Sequence, residues 1–291
     1  MHKNKVLLIL LILVIPLSLA ARTLAATSPT LGAVESYSVL AGSEVTNTGT
    51  TIVQGNVGVS PGIGALPHVI DNGTLTVGPP GVIHDADADA ALAQLANTAA
   101  FGTLDQVCDV DYGAVTQDLV GLTLVPGVYC AEAFRLTGTL TLSGTTGVWI
   151  FKSASDLITS GTANVVGGDP CNVWWRVASS ATLGTNTSLI GNILALTSIT
   201  MATGATLQGR ALAQTGAVTM DANSISVPIC TIVPRPTQFV PDGGEEVEGL
   251  PDAGGGVPIR DDSFPRGLAI MAGFIALGLF LGVRTYRSAK Q

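Results

Sequence analysis

Short apolar runs broken by turn residues fill most of the chain. Ser38-Val39-Leu40-Ala41-Gly42 leads into Val45-Thr46-Asn47-Thr48-Gly49, followed by Ile52-Val53, Gly55-Asn56-Val57-Gly58-Val59 and Ser60-Pro61-Gly62. Asn72-Gly73 and Pro80-Gly81 mark further turns. From Leu119 the pattern resumes, with Leu136-Thr137-Gly138-Thr139-Leu140-Thr141-Leu142 alternating apolar and polar, as a half-buried strand does. Val148-Trp149-Ile150-Phe151 and Val173-Trp174-Trp175 read as equivalent strands of successive coils. One segment departs from this. Between His84 and Val107 alanine dominates, and Leu92, Leu95, Ala96 and Ala99 recur at helical spacing. Asp85, Asp87 and Asp89 stand at its start, where carboxylates complement the helix dipole. The pattern predicts one helix over about 84–107, with a small-residue face suited to close packing along a sheet.

The stretch Thr182–Ala217 repeats itself at eighteen residues. Thr182 falls on Thr200, Thr185 on Thr203, Leu189 on Leu207, Gly191 on Gly209, Leu194 on Leu212, Ala195 on Ala213 and Thr197 on Thr215. A β-rich repeat of that period predicts a solenoid whose coil holds three short strands and three corners. Arg210 falls where Asn192 stands one coil earlier, which predicts an outward or corner placement for Arg210.

The two ends differ from the centre. A basic start followed by the apolar run Val6–Leu19 predicts a secretory signal peptide over 1–26, so that 27–230 forms the exported domain. Residues 231–266 are rich in Pro, Gly and acid and predict a flexible linker. An unbroken apolar run over 267–283 precedes Arg284, Arg287 and Lys290 in the tail 284–291. It predicts a membrane-spanning helix with the tail inside and the solenoid outside, hence a cell-surface location with the membrane as partner through that helix. Leu250-Pro251-Asp252-Ala253-Gly254 resembles an LPxTG sorting signal with alanine in place of threonine, which makes cell-wall attachment the alternative to a membrane tether.

Composition narrows the chemistry. A net charge of −8 argues against nucleic acid or an anionic membrane surface as partner. The four cysteines, Cys108, Cys130, Cys171 and Cys230, lack zinc spacing. In an exported chain they can pair in three ways, of which Cys108–Cys130 with Cys171–Cys230 is favoured; buried free thiols are the other reading. Asp85-x-Asp87-x-Asp89 lacks the glycine and glutamate of a calcium loop, because Ala90 and Ala96 stand there, so no metal is expected. His68 and His84 have no Ser or Cys partner in sequence, and no cofactor motif is present. The chain therefore reads as a non-enzyme without a small-molecule substrate. Trp149, Trp174 and Trp175 could stack on surface glycans, but core packing is the preferred reading.

Taken together, these motifs resemble the ice-binding-protein-like family. The resemblance is carried by Val39–Gly62, Leu122–Tyr129, Cys171–Trp175 and the segments Ser180–Thr185, Gly191–Ala195 and Gly209–Ala213, and it covers roughly Leu31–Ile229. It implies a mainly β fold: a right-handed, discontinuous, triangular β-solenoid with one long helix alongside. It also implies adsorption to ice or its ordered water, by which an antifreeze protein limits crystal growth. Threonine suits that task, since its side chain is short and stiff and carries both a hydroxyl and a methyl. A Thr-(Ala/Gly)-x-(Thr/Asn) motif of some members is matched by Thr48-Gly49-Thr50-Thr51 and Thr203-Gly204-Ala205-Thr206, and loosely by Thr159-Ser160-Gly161-Thr162 and Thr185-Asn186-Thr187-Ser188. Asp221-Ala222-Asn223-Ser224 breaks it in the next phase. The candidate ice-contact residues are Thr159, Thr162, Thr185, Thr187, Ser188, Thr203, Thr206 and Ser224, with Thr185, Thr187, Thr203 and Thr206 expected on one face. A surface adhesin or envelope module without ice activity is the alternative.

Overall fold

The computed structural model describes residues 25–144 and 146–230. Three stacks of parallel strands make the three sides of a β-solenoid, and one helix, α1 (Ala88–Thr103), packs on one side. The eighteen-residue repeat is one coil: Ser188–Ala195 pairs with Thr206–Ala213 residue for residue, and Thr182 pairs with Thr200. Both eight-residue strands turn a corner at the repeated glycine. Gly191 has φ +101°, a conformation that side chains rarely adopt. A Cβ on Gly209 would lie 1.8 Å from the Gly191 carbonyl oxygen. Only glycine lets successive coils stack this closely at that corner.

The chain does not wind from one end to the other. Val218–Asp221 stacks on Val45–Thr48, and Ser224–Ser226 on Thr50–Gln54, so the last coil meets the first. Residues 37–85 form one end of the stack. Helix α1 then runs along the side to the opposite end, where Val110–Asp111 and Thr116–Asp118 begin the return.

The helix occupies less than the expected span. His84 and Asp85 belong to the strand Ile83–Asp85, and helicity starts after Asp87, whose carboxylate accepts a hydrogen bond from the Ala90 amide at 2.8 Å. Asp85 instead receives the His68 amide and the His68 ring, each at 2.8 Å. At the other end Leu104 caps α1 and the chain turns to the Cys108–Cys130 disulfide. Ala93 and Ala100 face Leu40, Leu194 and Leu212 beneath the helix. The small side chains bring the helix close to the sheet, so that side is buried on both surfaces.

Inside the coils the core is graded. Tyr129, Phe151 and Trp175 stand in register, with rings 5.5 Å and then 4.2 Å apart, and the next residues in the same ladder are Ile193 and Ala211. All three tryptophans are buried and donate indole N–H bonds to Leu124 O, Ser28 Oγ and Ile190 O. Arg210 does not face outward. It is 1% exposed, and its guanidinium donates to Glu35 O at 2.7 Å and to Asn192 Oδ1 at 2.8 Å. The segment before Tyr37 lies over this side, so a position that alternation points away from the core is still covered. Burial pushes the Arg210 guanidinium down to about 10.

Disulfides join Cys108 to Cys130 and Cys171 to Cys230. Residues 1–24 of the expected signal peptide lie outside the described residues. So do the linker 231–266, the apolar run 267–283, the tail 284–291 and the sorting-like segment 250–254. Among the described residues no helix is long and apolar enough to cross a membrane. Replacing Gly209 by alanine forces a methyl into the neighbouring coil. The expected loss is about 1–3 kcal/mol of folding stability, read from urea unfolding.

Candidate functional site

The three sides differ in what they present. The helix-covered side is closed. A second side carries Ser188, Thr206 and Ser224 in adjacent register, continued by Ile52 and Asn164, with Gln54, Ser226, Gln208 and Ile190 in the next column. Its outward chemistry changes from coil to coil.

The remaining side is the eight-stranded sheet. Its central outward column reads Ile70, Thr46, Thr219, Thr200, Thr182, Ile158, Arg135 and Asp118. Four threonines therefore stand on four consecutive strands. Alternation with buried neighbours holds each in place: Val45 and Asn47, Val218 and Met220, Ile199 and Met201, Ala181 and Leu183 all point inward. Strand spacing sets the threonines about 4.8 Å apart, so the run from Ile70 to Ile158 is about 24 Å long. Thr46 Oγ1 donates to Thr219 Oγ1 at 3.3 Å. Ile158, 41% exposed, closes the column on one side, and beyond it come the charges of Arg135 and Asp118.

The corner beside this column is built from buried polar groups. Thr159 and Thr187 are 2% and 0% exposed, and their hydroxyls pair at 2.7 Å. Thr159 Oγ1 also accepts the Gly184 amide at 2.9 Å. Two coils on from Thr187, the Asn223 side chain donates to Ala202 O and Ala205 O, and the Asn223 amide donates to Thr51 Oγ1. These groups satisfy turn atoms that would otherwise be buried unpaired.

The sequence candidates are thus divided by the fold. Thr159 and Thr187 sit inside the corner and offer no surface. Thr162, Thr185 and Thr203 are exposed on the corner turns, with the Thr203 hydroxyl donating to the Asp221 carboxylate. Ser188, Thr206 and Ser224 lie on the second side. The structure does not place Thr185, Thr187, Thr203 and Thr206 on one face. The column Thr46, Thr219, Thr200 and Thr182 lies outside these candidates, although the sequence carries its signal. An apolar–Thr–apolar triplet recurs in Ala181-Thr182-Leu183, Ile199-Thr200-Met201 and Val218-Thr219-Met220.

Other groups point to different roles. His68 pairs with Asp85, and the His84 ring lies 2.8 Å from the Asp87 carboxylate. The Asn47 side chain, then the Leu75 and Gly73 amides, hold the Asp71 carboxyl below the usual carboxylate range at the end strand. A cleft of about 450 Å³ beyond the end of α1 contains Asp105, Lys152 and Arg176, away from the threonine column. There the Lys152 hydrogen bond and the Arg176 charge lower the Asp105 pKa. Among the described residues no group of three His, Cys, Asp or Glu side chains could hold a metal ion.

Residues 39–226 match the family described as ice-binding-like. The chain is 42% identical over 227 residues to an ice-binding protein of Nostoc sp. (strain HG1), covering 75% of this chain and 81% of that one. An ice-binding protein of the Antarctic ascomycete Antarctomyces psychrotrophicus superposes with TM-score 0.61 at 34% identity, over 70% of this chain and all of that one. One from an Antarctic biological consortium gives TM-score 0.57 at 37% identity, over 72% of this chain and 95% of that one.

Buried and exposed threonines are expected to respond oppositely to loss of the hydroxyl. Thr187→Val leaves Thr159 short of a partner and is expected to cost about 1–3 kcal/mol. Thr182→Val at the surface is expected to change stability by less than about 0.5 kcal/mol, both read from urea unfolding.

Proposed function

The chain belongs to the ice-binding-like family, and on that premise we propose that it binds ice by adsorption through the face bearing Thr46, Thr219, Thr200 and Thr182. The observation that carries this reading is the in-register column of four threonines on a rigid parallel sheet. Ice presents a regular array of oxygens. A partner for it needs short side chains at regular spacing that lose little rotamer entropy on contact, and β-branched threonines on paired strands meet both needs. Their hydroxyls can take part in an ordered water layer, while their methyls, Ile70 and Ile158 keep the surface between them apolar. Growth of the crystal then stops locally around each adsorbed molecule. No bond is made or broken, so the reading requires no catalytic group. The Nostoc, Antarctomyces and Antarctic-consortium relatives are ice-binding proteins, which supports the same reading.

The reading includes a location. The apolar run 267–283 and its basic tail would hold the solenoid outside the cell membrane. A tethered ice-binder would place the cell at ice or shield its envelope from recrystallisation.

The test compares two sides of the solenoid. Thr200→Tyr raises a bulky ring above the threonine column and is expected to abolish ice-crystal shaping and recrystallisation inhibition. Thr206→Tyr on the second side is expected to leave both intact, and both variants should melt close to the parent. Loss with Thr206→Tyr alone would move the site to the second side. A parent chain inert toward ice at high concentration would end the reading.

A further inference from the structure

The threonine column is not uniformly surrounded. Along the strands of Thr182 and Thr200 the outward neighbours are Ser180, Gly184, Ser198 and Ala202, all small and uncharged, and the nearest carboxylate at that edge, Asp156, is taken up by the Ser180 amide at 3.2 Å. Beside Thr46 and Thr219 the surroundings are different. Asp221 ends the strand of Thr219 and stands in register with Thr48, and Glu44 directly precedes the strand of Thr46. The strands that form the eighteen-residue repeat thus give the neutral half of the face. The junction of the first and last coils gives the half that carries carboxylates.

Resting on the adsorption reading above, we propose that Asp221 is a specificity-determining residue that holds ice contact to the neutral half and keeps the binding of this face below what its threonine column would permit. The Asp221 carboxylate is fixed beside the column by the Thr203 hydroxyl, which donates to Oδ2. The Asp221 amide is held by Asn223 Oδ1 at 2.6 Å, so the residue cannot swing away with its turn. A half-buried carboxylate keeps a hydration shell of its own, directed at the anion and not at neighbouring lattice positions. Bringing ice against it means stripping or reordering that shell, at a cost an uncharged side chain does not incur. The Thr203 hydroxyl is also taken up by the carboxylate and is withdrawn from water ordering at the edge of the face.

Asp221→Asn removes the charge while its amide oxygen can still accept from Thr203. It is expected to lower the concentration needed for half-maximal recrystallisation inhibition roughly two- to fivefold, the size of one surface charge interaction expressed as affinity. Asp221→Thr, which extends the row begun by Thr48, should act in the same direction and serves if the asparagine variant folds poorly. Asp118→Asn makes the same charge change at the far end of the sheet and should leave inhibition unchanged. All are made in the full chain, with melting temperature measured alongside. Equal or weaker inhibition by both Asp221 variants overturns the proposal while the adsorption reading stands. So does an equal gain from Asp118→Asn, which would assign the effect to net charge. Inertness of the parent and every variant toward ice overturns both.

Discussion

Everything in this molecule depends on each coil stacking in register on the next. In a parallel solenoid the backbone N–H and C=O groups of one coil are satisfied by the coils on either side, so no coil is stable alone. That requirement explains the glycine pair at 191 and 209, where the corners approach too closely for any side chain. It explains why the inner corner is lined by Thr159, Thr187, Thr51 and Asn223: the first two pair through their hydroxyls, and Thr51 and Asn223 bond backbone groups of adjacent coils. It also produces the regular outward columns. Once the backbone ladder is set, side chains at equivalent positions repeat at the strand spacing whether or not a function uses them.

The return path of the chain is the second consequence. A solenoid built from both ends toward the middle leaves one seam, between the strands Val45–Thr48 and Val218–Asp221. Helix α1 carries the chain from one end to the other along a side that must then be buried, and its alanines allow this. The covered side cannot meet an extended surface, and the second side alternates Thr, Gln, Ile and Asn. What remains is the eight-stranded face, rigid because its strands are tied into the same ladder as the core. The seam falls within the threonine column: Glu44 and Asp221 flank Thr46 and Thr219 along the chain, whereas the strands Ala181–Leu183 and Ile199–Met201 carry no carboxylate.

Much of the architecture was legible in the linear pattern. The coil length, the β character, the single helix and the equivalence of the Trp149 and Trp174 strands all follow from local periodicity. The candidate site was less legible. The motif that drew Thr159, Thr187, Thr203 and Thr206 together spans a corner, and a corner changes the direction of the chain between its first and last residue. Residues three apart in such a motif therefore do not share a face. Thr203 stays exposed and Thr187 turns inward, although both belong to threonine-rich turns of the same repeat. Arg210 fails for a related reason: its strand position points away from the core, but a segment some 175 residues distant covers it.

Determined by sequence alone were the repeat, its period, the turn residues that punctuate it and the family to which these motifs belong, because each is written in local spacing. Only the tertiary structure decided which threonines meet water. A hydroxyl's exposure depends on the direction of the chain at its corner and on what packs over it, and both are set by residues far away in sequence. The column of Thr46, Thr219, Thr200 and Thr182 is the clearest case. Thr46 precedes the helix and Thr182, Thr200 and Thr219 follow it by many residues, and the discontinuous stacking of coils is what brings them into one line.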